Sequence, residues 1–492
     1  MKTVSLFLSL TACTAGSFAA TTVSDVTVTP GSPVTVSYTT AGDDAIVTVS
    51  FEAGGVALGD AASANVYGDV NRIVPAGRHT IHWPVQSEYA AAGGVAATIT
   101  VWPTNDPPDY TVFDLTTGRQ RFYTSTNALP RGGLANDIYR TDQIVMRRIP
   151  AAGVQWYMGS LGAEVGRVPS KSEIYHKVTL TKDFYLAVFE TTQYQACLIT
   201  NNLLFTELTN RSCWATRPAD HISFKHLRGH RWKAGDGRTT FEDCLVRRAQ
   251  RSMAADVDLP TEAQWEYACR AGTTGAAWFA VNYPDDSGNY DILAPYARYL
   301  HNGGGVNGTA YTDMSISTTG GTARVGSYLP NPWGLYDLFG NVYEQVLDGF
   351  RDDFTPDRTD VTDPEGCETN SVYRVLRGGS WKTNGRYCRA ACRVYENKQW
   401  DTINPNGYGF RLAWHFANPD GLTAANSTYG TVSRPFNTPA SATSAAVAIG
   451  TSMRAETPMA TLPRVDLFEI GDYASAETPI TTMPVGVQFL IR

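Results

Sequence analysis

The sequence predicts an α+β protein, with an all-β sandwich in front and a mixed helix-and-strand domain behind it. Three observations carry the prediction. Residues 21–105 alternate apolar and polar in short runs separated by turn formers. Residues 261–272 have the spacing and both end signals of a short amphipathic helix. The chain has 492 residues, 43% hydrophobic and 18% charged, which is too long for one ordinary domain and apolar enough to bury more than one core. That composition excludes wholesale disorder and collagen-like or coiled-coil chains. With 40 Lys+Arg against 47 Asp+Glu the net charge is −7, so no basic excess exists to neutralise phosphates, and no nucleic-acid partner is expected.

From the N-terminus, residues 1–19 read as an export signal. Lys2 precedes an apolar run from Val4 to Ala12, and Ser17-Phe18-Ala19 supplies small residues at a cleavage site. Leu10-Thr11-Ala12-Cys13 also matches a bacterial lipobox, in which the leader would end before Cys13 and that residue would carry a lipid anchor. Either reading places the protein outside the cytoplasm: periplasmic, secreted or a surface lipoprotein. No later stretch approaches the ~20 apolar residues of a spanning helix. Seven cysteines follow Cys13. Export permits disulfides, and an odd number leaves at least one thiol outside them.

Residues 21–105 are expected to form an immunoglobulin-like sandwich. Val26–Val28, Val34–Val36, Val47–Phe51 and Ala97–Val101 alternate, and Pro30-Gly31, Gly42-Asp43-Asp44 and Gly93-Gly94 separate them. His79 and His82 do not share a strand face and read as surface residues. Pro103-Thr104-Asn105-Asp106-Pro107-Pro108 reads as a stiff polar linker. Residues 110–415 form the mixed domain. Residues 416–463, rich in Ala, Thr, Ser and Pro, read as a connector, and 464–492 as a C-terminal β segment.

The mixed domain holds five ordered blocks. The first is Leu259-Pro260-Thr261-Glu262-Ala263-Gln264-Trp265-Glu266-Tyr267-Ala268-Cys269-Arg270-Ala271-Gly272, where Thr261 and Gln264 make a capping box and Gly272 a stop. Trp265, Ala268, Cys269 and Gly272 share its core-facing stripe. Then come Pro330-Asn331-Pro332-Trp333-Gly334-Leu335-Tyr336-Asp337-Leu338-Phe339-Gly340-Asn341-Val342-Tyr343-Glu344 and Arg374-Val375-Leu376-Arg377-Gly378-Gly379-Ser380-Trp381. Tyr387-Cys388-Arg389-Ala390-Ala391-Cys392-Arg393 and Gly409-Phe410-Arg411-Leu412 complete the set. Together the blocks resemble the formylglycine-generating enzyme family, or sulfatase-modifying factors, over roughly residues 150–415. The resemblance implies a C-type-lectin-like fold. Fold alone does not assign activity.

Two sites follow from the resemblance. Asp337, Gly340, Val342 and Glu344 fall at the family's calcium positions and offer two carboxylates and two backbone carbonyls, a hard oxygen set. A second family calcium site finds no match near Asn302 to Asp313. The family's oxidases hold Cu(I) with two cysteines, which here fall at Thr383 and Cys388. A hydroxyl cannot replace a thiolate for a soft metal. The oxygen pocket implied by the resemblance is lined by Ser380 and Tyr343. Cys269 and Cys392 are a disulfide pair in some relatives. Two functions therefore stand open. One is an oxidase acting on a cysteine or related thiol of an exported, sulfatase-like protein substrate through Cys388, Ser380 and Tyr343. The other is an inactive, calcium-stabilised lectin-like module for a peptide or glycan. His221, His226 and His230 cluster in sequence without the remaining ligands of a metal site.

Overall fold

The computed structural model describes residues 21–85, 94–168, 173–201, 214–220, 222–228, 244–280, 292–303, 321–350, 360–364, 373–397, 407–415 and 440–444. The proposed signal segment, Cys13, Cys213, Cys367, His221, His230 and the segment 464–492 lie outside them. None of the described helices is long and apolar enough to cross a membrane.

The alternation seen in the sequence becomes two facing sheets in the front body. One sheet runs β1 (Thr22–Thr29), β2 (Val34–Ala41), β7 (Gly77–Trp83), β5 (Tyr67–Gly68). The other pairs β3 (Ala45–Ala53) with β4 (Val56–Ala57), β6 (Arg72–Val74) and β8 (Val95–Pro103). Inward residues Val34, Val36, Tyr38, Val47, Phe51, Ile81 and Trp83 make one apolar core, with Phe51 and Trp83 stacked at 3.9 Å. Odd positions of β7 face that core, so His79 is buried rather than on the surface. Its Nε2 faces the Pro75 carbonyl at 2.8 Å and the Thr40 hydroxyl at 3.2 Å. His82, on the opposite face, packs its ring on Tyr67.

The outer edge of β8 is completed from far along the chain. β22 (Ala440–Thr443) pairs antiparallel with Thr98–Val101, and Ser444 exchanges hydrogen bonds with the Ala97 backbone at 3.0 and 3.1 Å. The reading of 416–463 as a plain connector is thus revised. An open edge leaves backbone groups unpaired, and even a weakly apolar segment can satisfy them with its own backbone.

The second body is built on a six-stranded sheet, β10 (Gln120–Tyr123), β9 (Tyr110–Asp114), β11 (Gln143–Ile149), β14 (Phe184–Ala187), β21 (Ala413–Trp414), β15 (Val257–Asp258). A three-stranded sheet joins β12 (Val154–Met158), β13 (His176–Leu180) and β17 (Asp360–Thr362). A four-stranded one runs β19 (Val394–Asn397), β18 (Tyr373–Arg377), β16 (Tyr343–Gly349), β20 (Tyr408–Gly409). Regular structure is sparse, and buried arginine–carboxylate pairs hold the loops: Arg148 to Asp183 and Asp106, Arg389 to Glu173, Arg393 to Glu262, Arg377 to Glu266 and Arg411 to Glu344. The segment read as a polar linker is one of these packed loops. Asp106, Pro107 and Pro108 are buried, because Arg148 reaches both Asp106 Oδ1, at 2.5 Å, and the Pro107 carbonyl.

The Glu262–Arg270 helix starts at the predicted box, with Thr261 Oγ1 accepting from Gln264 N and Gln264 Oε1 from Thr261 N. It ends at Arg270, with Ala271 (φ +46°) as its C-cap and Gly272 (φ +85°) at the predicted stop position. Trp265, Ala268 and Cys269 are fully buried, as their spacing predicts.

Candidate functional site

Two adjacent loops build the site. The first, 337–342, leads into β16. Asp337, Gly340 and Asn341 all have positive φ, at +57°, +73° and +57°. At Gly340 a Cβ would lie 2.1 Å from the Arg298 carbonyl oxygen, so only glycine fits. The second loop follows β18. Gly378 and Gly379 turn the chain with φ of +84° and +82° and set Ser380 beneath the first loop. Gly340 N donates to Gly378 O at 2.8 Å and Trp381 N to Asn341 O at 2.9 Å, which locks the loops together.

The second loop brings the two expected copper positions to one point. A Cβ on Gly379 would meet Cys388 Sγ at 2.7 Å and Thr383 Oγ1 at 3.4 Å. Thr383 Oγ1 accepts from Ser380 N at 2.8 Å and donates to Ser380 O at 3.0 Å, so its one proton is committed to its own loop. Tyr343 is buried, its ring edge-on to Tyr408 at 5.8 Å, and burial pushes its phenol well above the ordinary range. Burial also raises the Cys388 thiol, and pushes the Cys392 thiol up to about 12. Cys269, Cys388 and Cys392 are outside any disulfide, so the Cys269–Cys392 pairing found in some relatives is not made. Ser380 Oγ is fully buried with no hydrogen-bond partner.

The residues present do not fit Cu(I) in the family's manner. One thiol meets a hydroxyl already held by the Ser380 backbone, and burial favours the protonated form of the thiol over the thiolate that binds a soft metal.

At the calcium positions the fit is partial. Asp337 Oδ2 accepts from Gly326 N at 2.6 Å, while Oδ1 is buried with no hydrogen-bond partner, which suits a cation. Glu344 is forked onto Arg411, with Nε to Oε2 at 2.6 Å and Nη2 to Oε1 at 2.5 Å, and Oε2 also accepts from Trp265 Nε1 at 2.7 Å. It can reach a cation only by sharing oxygens already engaged. The Val342 amide is held by Glu190 Oε1 at 3.1 Å, and Asn341 Nδ2 by Glu190 Oε2 at 2.6 Å. Glu190 is the partner that sequence reasoning missed. Its signal was a lone acid at the end of the apolar run Ala187-Val188-Phe189. Burial raises its carboxyl well above the usual range, reinforced by Asp337 and Glu344. Burial likewise holds Asp337 up at about 6. Among the described residues no group of three or more His, Cys, Asp or Glu is disposed to hold a metal. His226 pairs with the Ser223 hydroxyl at 2.9 Å.

Comparison with known proteins gives a consistent picture. The family described as "Sulfatase-modifying factor enzyme 1-like domain" matches residues 150–416. The formylglycine-generating enzyme of Streptomyces coelicolor is 33% identical over 172 residues, 34% of this chain and 49% of that protein. The mouse formylglycine-generating enzyme is 32% identical over 156 residues, 32% of this chain and 38% of that protein. The serine/threonine-protein kinase pkn1 of Chlamydia pneumoniae is 36% identical over 157 residues, 32% of this chain and 20% of that protein. The chain thus spans half or less of the length of these relatives. Among solved structures, Treponema denticola variable protein 1 aligns with a TM-score of 0.41 at 21% identity, covering 55% of this chain and 95% of that one.

Proposed function

Because this chain belongs to the sulfatase-modifying factor enzyme 1-like family, we propose that it uses the family fold as an extracytoplasmic binding module for a peptide or glycan, without the two-thiolate copper oxidation. One observation carries this reading. The position that must supply the first of the two thiolates is Thr383, and its hydroxyl is bonded to the Ser380 backbone. The side chain serves the loop, not a metal. A calcium ion at Asp337, sharing Glu344 and backbone carbonyls of Gly340 and Val342, would neutralise the buried carboxylates and brace the same loop. The buried Asp337 Oδ1 supports that brace.

A second reading, oxidation of a substrate thiol at Cys388, is favoured by Ser380 Oγ, a buried hydroxyl without a partner. Mass spectrometry separates the two. A Cys-x-Pro-x-Arg peptide incubated with folded protein, O₂ and Cu(I) is expected to keep its cysteine. Conversion to the aldehyde would reinstate the oxidase.

A further inference from the structure

The two bodies meet along a cleft of about 300 Å³, at the small end of the ~300–1,000 Å³ typical of ligand sites. It is separate from the loops described above. Its front-body wall comes from the turn around β5, and its other wall from β10 and the loops that follow. The bodies are held in register there: Phe122 N donates to Asn71 O at 2.9 Å, Arg121 Nη1 to Val70 O at 3.3 Å, and Ser125 Oγ to Asp60 Oδ2 at 2.5 Å.

Three guanidiniums line this cleft. Arg121 and Tyr123 lie two residues apart on β10, Arg119 immediately precedes that strand, and Arg131 comes from the next loop. None of the three arginines forms a salt bridge within the described residues. By contrast, the other arginines of this body named above are paired with carboxylates. Asp114 also lines the cleft, and hydrogen bonds from Thr116 N, Thr117 N and Gln143 Nε2 hold its carboxylate ionised, so the lining carries three cations against one anion. Asp69 is taken by Arg72 at 2.6 Å. Burial, together with repulsion from Arg72 and Arg119, lowers the affinity of Arg121 for its proton. The lining keeps a net positive charge.

Backbone strain falls at the same place. Arg131 (φ +59°) and Asn71 (φ +56°) are non-glycine residues in the left-handed region, and both line the cleft. Such conformations persist where the surroundings impose them. Tyr67, 52% exposed, stands at the rim with its ring backed by His82.

We propose that this interdomain cleft binds a small anionic saccharide, its carboxylate or sulfate held by Arg119, Arg121 and Arg131 and its sugar ring laid against Tyr67. Guanidinium forks match planar and tetrahedral oxyanions, and an exposed, backed aromatic face offers a platform for a ring.

Calorimetric titration of the full-length protein tests this with four probes: a glucuronate-bearing disaccharide, a sulfated disaccharide, their neutral counterpart and sodium sulfate. One or both acidic sugars are expected to bind, more weakly as salt is added. Which one binds identifies the oxyanion. The double variant Arg119→Ala/Arg131→Ala, at exposed positions that leave the fold intact, is expected to weaken binding roughly tenfold or more. Tyr67→Ala is expected to weaken sugar binding and leave inorganic sulfate unchanged. No binding of either acidic sugar, equal binding of the neutral one, or indifference to the double variant would overturn the site. Sulfate alone binding as tightly as the sugars would overturn the saccharide assignment.

Discussion

At the scale of single residues, Thr383 stands at one of the two positions where the family resemblance implies a copper cysteine. Thr383 and Cys388 converge on Gly379, so replacing the hydroxyl by a thiol puts two sulfurs where one now stands. Thr383→Cys is therefore expected to raise Cu(I) affinity in a competitive titration, and an unchanged affinity would show that the two positions are not within reach of one ion. Asp337 gives a second test. Burial, partly offset by the Gly326 amide and Arg411, holds its carboxyl at about 6 against an ordinary 3.8. The folded protein thus binds this proton more tightly than the unfolded chain. The group's contribution is fully present below its ordinary value and is lost as pH rises through about 6. In chelator, Asp337→Asn is expected to raise the melting temperature at neutral pH and flatten its rise on acidification. With calcium present the same substitution is expected to lower it, because a ligand that binds only the folded state stabilises that state. If calcium leaves the wild-type melting temperature unmoved, the brace does not exist. Counting along the sequence placed Thr383 and Asp337. It did not show that the Ser380 backbone holds the Thr383 hydroxyl or that Arg411 claims Glu344.

At the scale of elements, the Glu262–Arg270 helix shows where periodicity is informative and where it stops. Its cap and its Trp265–Ala268–Cys269 stripe were legible because both depend on residues three or four apart. Its polar face is buried too. Glu262, Glu266 and Arg270 are 2%, 1% and 4% exposed, since Arg393 and Arg377 pack against them from elsewhere in the chain. The two kinds of contact differ in cost. Thr261→Ala loses a cap and is expected to cost about 1 kcal/mol. Glu266→Ala strands Arg377 and Arg270 in the interior and is expected to cost roughly 3–5 kcal/mol. Denaturant unfolding of the two variants gives the comparison, and equal losses would mean that the buried charges find other partners.

At the scale of the whole molecule, the front sandwich depends on a strand that enters after the second body is complete. β22 covers the edge of β8. Deleting residues 416–492 is expected to speed amide exchange at Thr98–Val101 and lower the stability of the front body, while leaving the Glu262–Arg270 helix protected. Unchanged exchange at β8 would show that the edge does not need its cover. The cleft between the bodies belongs to this scale too. Arg119, Arg121 and Tyr123 share one short stretch, but Tyr67, Arg131 and Tyr139 reach the cleft from segments that no local pattern connects to it.

The sequence by itself determined the α+β class, the front strands, the capped helix and the family, because each rests on short-range periodicity or on contiguous motifs. Tertiary structure alone decided the partners. Glu344 meets Arg411 67 positions on, Glu266 meets Arg377 111 positions on, and Ala97 meets Ser444 347 positions on. Buried charges and open strand edges must be satisfied, but which distant residue satisfies them depends on how the whole chain packs.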